Sequence, residues 1–173
     1  PRADGYSGNC DLKNKKNFRT RCSALIKFND QNILIDTSPD LRSQLLENKI
    51  KSISKVFYTH LHADQTHGIN DLRPFFLINK KQIPVYADTN TKKYLLSTFK
   101  YCFKSSYGYP STLNINSLRK KHQFTNKNKK IKIESIPVQH GNIKSTCYLI
   151  NNKLAYACLL YTSPSPRDGL LSR

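Results

Sequence analysis

The chain contains no methionine and no tryptophan, and only six of its 173 residues are glycine. Without an initiator methionine, a targeting signal upstream of Pro1 is left open, while the first ten residues, PRADGYSGNC, lack the apolar segment of a signal peptide. No apolar run approaches the roughly 18 residues that span a bilayer, so the sequence predicts no membrane segment.

Acidic residues are also scarce, at 11 against 29 basic ones, which gives a formal net charge of +18. A basic excess of this size is typical of proteins with a polyanionic partner such as RNA, DNA or a phosphorylated substrate. Most of the basic residues are lysine, however, and lysine and asparagine enrichment with little glycine is also what an AT-rich genome produces. A solvated basic surface is the favoured interpretation, and a nucleic-acid-binding face is the alternative.

The five cysteines form no C-x-x-C pair, which argues against a zinc ribbon and against a disulfide framework. A reducing, cytoplasmic setting is the simpler prediction. A chain of this length fits one domain that buries its own core without cross-links.

Apolar patterning predicts alternating strands and helices. The predicted strands are 22–28, 32–38, 54–60, 83–88, 129–140, 145–150 and 153–157. The predicted helices are 38–49, with Ser38 as its N-cap, and 91–103, together with a helical start at 67–79 that Pro74 should bend or end near Arg73. The polar, weakly periodic segment 104–130 is predicted to be a surface insertion or a substrate-facing loop.

The densest chemistry lies in residues 59–68, THLHADQTHG. His60 and His62 follow an apolar strand two positions apart, and Asp64 comes next, so one loop offers three metal ligands within five residues. Imidazole and carboxylate ligands suit Zn²⁺, Mn²⁺ or Fe²⁺, and such a mixed site with an open position activates water, whereas structural zinc sites more often use cysteine. The alternative is that these are ordinary polar loop residues.

This stretch resembles the T-H-x-H-x-D-H-x-x-G signature of the metallo-β-lactamase superfamily. The flanking stretches CSALIKFNDQNILIDTSPDLRSQLL (22–46) and GINDLRPF (68–75) resemble its PhnP-like phosphodiesterase branch and, more distantly, tRNase Z. The resemblance covers residues 1–157. It implies an α/β fold, the αββα sandwich, with a dinuclear metal site on one edge and hydrolysis of a phosphoester by water activated there.

The resemblance also assigns roles to individual residues. His60 and His62 would bind the first metal together with His140, which lies in IPVQHG about 78 residues later in the chain. Asp64 would bind the second metal and orient the nucleophile, and is the predicted catalytic residue. Asp36, in LIDTS, would be a carboxylate supporting the loop, although an aspartate at a strand end also caps turns.

Two departures from the signature affect the second metal site. Gln65 stands where the family has a histidine, and a carboxamide oxygen is a poorer ligand for these metals than imidazole. His67 is a candidate replacement ligand, against a helix-start or hydrogen-bonding role. We therefore expect two divalent ions, zinc or manganese, in the complete enzyme and at most one in this chain.

The end of the chain departs further. CLLYTSPSPRD (158–168) resembles the translation of a transposase adapter used in sequencing-library preparation, so residues 158–173 are expected to be a non-native tail after a partial domain at 1–157. Relative to the family, the opening strand, a metal-bridging aspartate after KLAYAC and a last histidine ligand are missing. We expect this chain to be an internal fragment that is incomplete at both ends and inactive by itself.

For the complete protein the resemblance implies a phosphodiesterase acting on a small cyclic phosphate or a nucleotide. A tRNase Z-like ribonuclease is the alternative enzyme, and RNA is then a substrate. A non-catalytic member that binds nucleotide or RNA is a further alternative, favoured by Gln65 and by the positive charge. No membrane partner is expected, and a homodimer is left open by the sequence.

Overall fold

Two β-sheets pack face to face, and helices cover the outer face of one of them. The computed structural model describes residues 4–158. The first sheet contains β1 (Ala24–Phe28), β2 (Gln31–Ile35), β3 (Lys55–Phe57), β4 (Ile83–Ala87) and β5 (Leu113–Ser117), in that order. The second contains β6 (Lys121–Asn126), β7 (Lys129–His140), β8 (Ile143–Ile150) and β9 (Leu154–Tyr156), also in chain order.

The connections differ between the two sheets. In the first sheet β1 and β2 form an antiparallel hairpin, and β2 to β5 run parallel. The helices between its strands are α1 (Leu41–Glu47), α2 (Ala63–Thr66), α3 (Arg73–Asn79), α4 (Thr89–Thr98) and α5 (Lys100–Phe103). One 3₁₀ turn, Lys15–Asn17, precedes β1, and another, Ile69–Leu72, precedes α3. The second sheet is antiparallel throughout, because its strands are joined by short turns.

Alternation along β2 explains how the first sheet separates two cores. Ile33 and Ile35 point into the core between the sheets, whereas Leu34 points into the core under the helices, as successive residues of a strand must. All three are buried. Burial on both faces is typical of a parallel sheet, and it accounts for the continuous apolar run NILI. The mixed α/β architecture with two packed sheets confirms the fold class expected from the sequence.

The segment 104–130 was predicted wrongly as an irregular insertion. It contains β5 and β6, in which more buried residues alternate with more exposed polar residues. Leu113 and His122 are buried, and Phe124 packs against the core between the sheets. Lysine and asparagine are so frequent in this segment that the alternation of buried and exposed residues, which would indicate a strand, is not visible in the composition.

Of two predicted helix boundaries, one differs from expectation. The first helix begins at Leu41 with Asp40 as its N-cap residue, because Ser38 is held earlier in the turn by hydrogen bonds to Ser23 and Gln44. The predicted helical start is a 3₁₀ turn, Ile69–Leu72, which ends near Arg73 as expected; Pro74 then lies in the first turn of a separate helix, α3, where its missing N–H costs no hydrogen bond. Among residues 4–158, no helix has the length and apolar character that crossing a bilayer requires.

Candidate metal centre

The carboxyl ends of three neighbouring parallel strands bring polar side chains to one edge of the first sheet. Asp36 follows β2, His60 lies three residues beyond β3, and Asp88 follows β4. This is the edge of an open α/β sheet where ligands usually bind. Asp36 has a φ of 61°, a left-handed conformation that Asp tolerates better than most residues.

His60 and His62 face each other across this edge. His60 is completely buried, and its Nε2 atom lies 3.1 Å from Nδ1 of His62. The ring centroids are 4.6 Å apart. His62 is also the N-cap residue of α2, in an extended conformation that turns its side chain back toward the strand end.

His140 completes a triad from the other sheet. It is the last residue of β7, and its ring centroid lies 4.9 Å from that of His60 and 5.2 Å from that of His62. One ligand atom from each of the three rings falls within 4.8 Å of the others. Residues separated by 78 positions in the sequence therefore converge on one point.

A chain of hydrogen bonds fixes the ring of His60. The backbone N–H and the hydroxyl of Thr59 donate to Oδ1 and Oδ2 of Asp36, at 2.7 and 2.8 Å. The hydroxyl has only one proton, so its 2.9 Å contact with Nδ1 of His60 is a bond donated by the imidazole. Nε2 of His60 then carries a lone pair that points into the triad.

Burial sets the charge of this group. Burial, with smaller contributions from the nearby His62 and His140, lowers the pKa of His60 to about 4, so His60 is neutral at physiological pH. Burial also raises the pKa of the Asp36 carboxyl to about 8, although the two bonds from Thr59 act in the opposite direction, and the hydrogen-bond chain described above is that of the ionised carboxylate. A neutral imidazole is the form that binds a metal.

The loop around the triad is tied to the residues that follow β2. The backbone N–H of Thr37 donates to the carbonyl of Gln65 at 2.8 Å, and the N–H of Gly68 donates to the carbonyl of Thr37 at 2.9 Å. A Cβ atom on Gly68 would lie 2.0 Å from the carbonyl oxygen of Ser38. Only glycine allows this approach, which explains the glycine in THLHADQTHG.

Asp64 and Gln65 form a pair of their own beside the triad. The Nε2 atom of Gln65 donates to Oδ2 of Asp64 at 2.8 Å, and the Gln65 side chain is completely buried next to Cys22. The Sγ atoms of Cys22 and Cys158 are 3.8 Å apart. The metal-ligand cluster found among residues 4–158 contains the three histidines and not Asp64.

His67, the other candidate for the second metal, points elsewhere. Its Nε2 atom lies 2.9 Å from the hydroxyl of Tyr94, and its ring packs edge-on against Phe99. The helix-start and hydrogen-bonding role therefore describes its position in this structure, outside the triad.

Sequence reasoning missed two residues that support the site. Thr59 was quoted as part of the signature but given no task, although it joins Asp36 to His60. Asp88 follows β4 as Asp36 follows β2, and its carboxylate caps α4 through the N–H groups of Asn90 and Thr91. An aspartate directly after a buried strand was the available signal at position 88.

Comparison with protein-family models gives a match to the "Beta-lactamase superfamily domain" over residues 31–158. The chain belongs to this superfamily. The match runs from β2 to the end of the described chain, so it includes all three histidines of the triad.

Three individual proteins illustrate what this chain is similar to. The crystal structure of a diphosphatase from the PhnP family is 29% identical, with a TM-score of 0.68, over 82% of this chain and 55% of that one. A ribonuclease Z of Prochlorococcus marinus (strain MIT 9215) is 27% identical over 69% of this chain and 39% of its own length. An octanoyltransferase of Porphyromonas gingivalis (strain ATCC BAA-308 / W83) is 30% identical over 82% of this chain and 28% of its own length. The chain therefore spans between 28% and 55% of the length of these three proteins.

Proteins of the beta-lactamase superfamily fold generally bind divalent metals, and the triad fits such an ion. The Nδ1 atom of His140 is buried and, within the described chain, has no hydrogen-bond partner. Buried ring nitrogens are normally satisfied, so this atom is either a ligand or an uncompensated cost. With the Nε2 atom of His60, which lies 3.1 Å from Nδ1 of His62, and with the ring of His62 itself, it supplies a three-nitrogen donor set of the kind that Zn²⁺ accepts.

Proposed function

We propose that the protein to which this chain belongs is a metal-dependent phosphodiesterase that hydrolyses a small cyclic phosphate or a nucleotide. The observation that carries the proposal is the convergence of His60, His62 and His140, with ligand atoms within 4.8 Å of one another. The likeness to a PhnP-family diphosphatase at 29% identity supports phosphate chemistry. The octanoyltransferase match covers 28% of that protein, so its name supplies no substrate here.

The residues divide the work as follows. His60, His62 and His140 would hold a divalent cation, which when bound supplies Lewis acidity and lowers the pKa of a water molecule. Asp36 and Thr59 hold His60 in the tautomer that exposes Nε2. Asp64, fixed by Gln65, would orient the water and hold the second ion of the complete enzyme. The net charge of +18 favours an anionic substrate.

The test is hydrolysis of bis(p-nitrophenyl) phosphate by the complete protein, loaded with Mn²⁺ or Zn²⁺. We expect turnover that EDTA abolishes and that a His62→Ala variant loses. His67→Ala is the matched histidine replacement, and it should keep most of the activity because the His67 ring contacts Tyr94 instead of the triad. Absence of turnover with either metal would refute the phosphodiesterase.

For the 173-residue chain alone we expect at most one bound metal and little or no turnover. Metal content after gel filtration, measured by inductively coupled plasma mass spectrometry, gives the stoichiometry directly. Two tightly held ions per chain, or a robust chelator-sensitive rate, would contradict this expectation.

A tRNase Z-like ribonuclease is the second candidate, favoured by the 27% identity to a ribonuclease Z. Cleavage of a precursor transfer RNA, with no activity on small phosphodiesters, would select it. A non-catalytic nucleotide- or RNA-binding protein is the third candidate. It is favoured by Gln65, whose carboxamide is hydrogen-bonded to Asp64. Tight nucleotide binding without turnover would select it.

A further inference from the structure

A cavity that does not include the metal centre lies at the junction of the two sheets, beside β5 and β6, the adjoining edge strands of the first and second sheets. Its volume is about 480 Å³. The residues that matter for what it can bind are Tyr86, Asn116, Arg119, Lys121, His122 and Phe124. It combines aromatic rings with basic and amide side chains, and no aspartate or glutamate of the described chain lines it.

The aromatic wall of the cavity is anchored in the core between the sheets. Tyr86 stacks on the buried Phe57, with centroids 4.6 Å apart and planes at 16°. His122 packs against Tyr86 at 4.8 Å, and the rings of His122 and Phe124 are nearly parallel, at 13°. Tyr86 and Phe124 are only partly buried, so part of their aromatic surface is open to a ligand.

Hydrogen bonding fixes the polar character of His122. The backbone N–H of Arg119 donates to Nε2 of His122 at 3.0 Å, so this nitrogen carries a lone pair and the neutral ring has its proton on Nδ1. Burial and the Arg119 charge both lower the pKa of His122. The ring therefore keeps one N–H donor at neutral pH, as a site that reads carbonyl or ring-nitrogen acceptors needs.

Positive charge surrounds this wall. The guanidinium of Arg119 is exposed and, among residues 4–158, has no carboxylate partner, while Lys121 shares Glu134 with Lys132. Lys55 lies over the ring of Phe124, with its Nζ atom 4.6 Å from the centroid. An anionic ligand would gain from this uncompensated charge.

Arg119 also connects the cavity with the metal centre. It lines an adjoining cavity of about 520 Å³ together with Asp88 and Thr146. The backbone N–H of Thr146 donates to the carbonyl of Thr59, next to His60, at 2.9 Å. Arg119 therefore lies between the aromatic wall and the residues that support the triad.

We propose that the cavity formed by Tyr86, His122 and Phe124 binds the base of a nucleotide, and that Arg119 binds its phosphate on the side facing the metal centre. This inference deepens the proposed function, because it selects nucleotides over other small phosphodiesters. Hydrolysis of the bound nucleotide rests on the proposed function. Base binding itself needs neither the metal nor turnover, so it can be measured separately.

The experiment is titration of the EDTA-treated chain with AMP and with ribose 5-phosphate by isothermal titration calorimetry. Stacking of a base on aromatic side chains should make AMP bind about tenfold more tightly than ribose 5-phosphate. Phe124→Leu keeps the apolar bulk but removes the aromatic face, and it should weaken AMP about fivefold while leaving ribose 5-phosphate unchanged. Arg119→Gln, at an exposed position that tolerates change, should weaken both ligands about tenfold.

Lys129→Gln is the charge-matched control, since Lys129 is exposed at the start of β7 and does not line the cavity. It should leave both affinities unchanged. Equal affinity for AMP and ribose 5-phosphate, or AMP binding that Arg119→Gln does not weaken, would overturn the proposal. So would AMP binding that appears only with Mn²⁺ and disappears in His62→Ala. Base-dependent binding in EDTA without hydrolysis by the metal-loaded complete protein would refute the phosphodiesterase alone.

Discussion

The two sheets contribute to the triad in different ways. The first sheet supplies what we call the first arm, Asp36, Thr59, His60 and His62, in which a buried ring is hydrogen-bonded on both of its nitrogens. The second sheet supplies the second arm, His140 alone, at the end of a hairpin and with no hydrogen bond to its Nδ1 atom in the described chain. The first arm is held by hydrogen bonds within the described chain, whereas Nδ1 of His140 would gain a partner from a bound metal.

The sheet-to-sheet contact determines where the second arm lies. Tyr148 on β8 is buried, and its hydroxyl donates to the carbonyl of Tyr58 at 2.5 Å. The N–H of Thr146 donates to the carbonyl of Thr59. Because β7 and β8 pair up to His140 and Ile143, these bonds also set the position of His140. The geometry of the triad therefore depends on sheet packing as well as on the histidine loop.

Glycine substitutions separate the arms most strongly. Gly68→Ala places a methyl group 2.0 Å from a backbone carbonyl beneath the first arm, and we expect it to lower the free energy of unfolding by about 3 kcal/mol or more. Gly141→Ala, in the turn of the second arm, meets nothing within 4 Å and carries only the strain of its φ of 56°, about 1 kcal/mol. Urea denaturation in EDTA measures both. Equal losses would show that the first-arm loop yields without cost.

Removing the second arm should affect the metal and not the fold. His140 is half-buried and contributes no hydrogen bond through Nδ1, so His140→Ala should unfold at nearly the same urea concentration as the wild type. Its affinity for Zn²⁺ should fall more than about 100-fold, because loss of a ligand exceeds the 10- to 100-fold cost of losing an outer partner. Competition with a chromogenic chelator measures the affinity. Unchanged Zn²⁺ binding would exclude His140 from the site.

The support beneath the first arm should contribute less than a ligand does. Asp36→Asn keeps a side chain that tolerates the left-handed backbone but replaces one acceptor of the Thr59 bonds with a donor. We expect Zn²⁺ affinity to fall about 10- to 100-fold through loss of the fixed His60 tautomer. Asp40→Asn, at an exposed ion pair with Arg21, is the matched control and should have no effect. A similar result for both variants would remove Asp36 from the metal centre.

The same contrast explains what the sequence made visible. Two histidines of the first arm lie in one short loop, so the H-x-H-x-D spacing, the preceding strand and the glycine of that loop could all be read locally. His140 is one histidine at the end of a polar strand, and only the resemblance to a family suggested that it joins the others. Its placement follows from buried contacts of Tyr148 and Thr146, which no local pattern encodes.

One strand of each sheet, β5 in the first and β6 in the second, was missed, and the second sheet shows why. Its strand β6 has one buried face made of His122 and the partly buried Phe124, so polar residues outnumber apolar ones and the alternation is weak. The parallel strands β2, β3 and β4 of the first sheet are largely buried on both faces and were found as apolar runs, whereas β5 at the edge of that sheet was missed. Thr59 and Gln65 could not be given their contacts, because hydrogen bonds of buried side chains depend on neighbours that the fold supplies.

Protonation of His122, in the second sheet, should have the smallest effect on the free energy of unfolding. Burial and Arg119 lower the pKa of His122 below its ordinary 6.5, so the unfolded chain binds a proton more readily than the folded one. The stability that the neutral ring contributes is present above pH 6.5 and is lost as the pH falls below it. In EDTA, the free energy of unfolding of His122→Gln should therefore decline less between pH 7 and pH 5 than that of the wild type. His60 is present in both proteins, so its titration does not contribute to the difference. Parallel pH profiles from urea denaturation would mean that His122 protonates equally in the folded and unfolded states, and that the charge of Arg119 does not reach it.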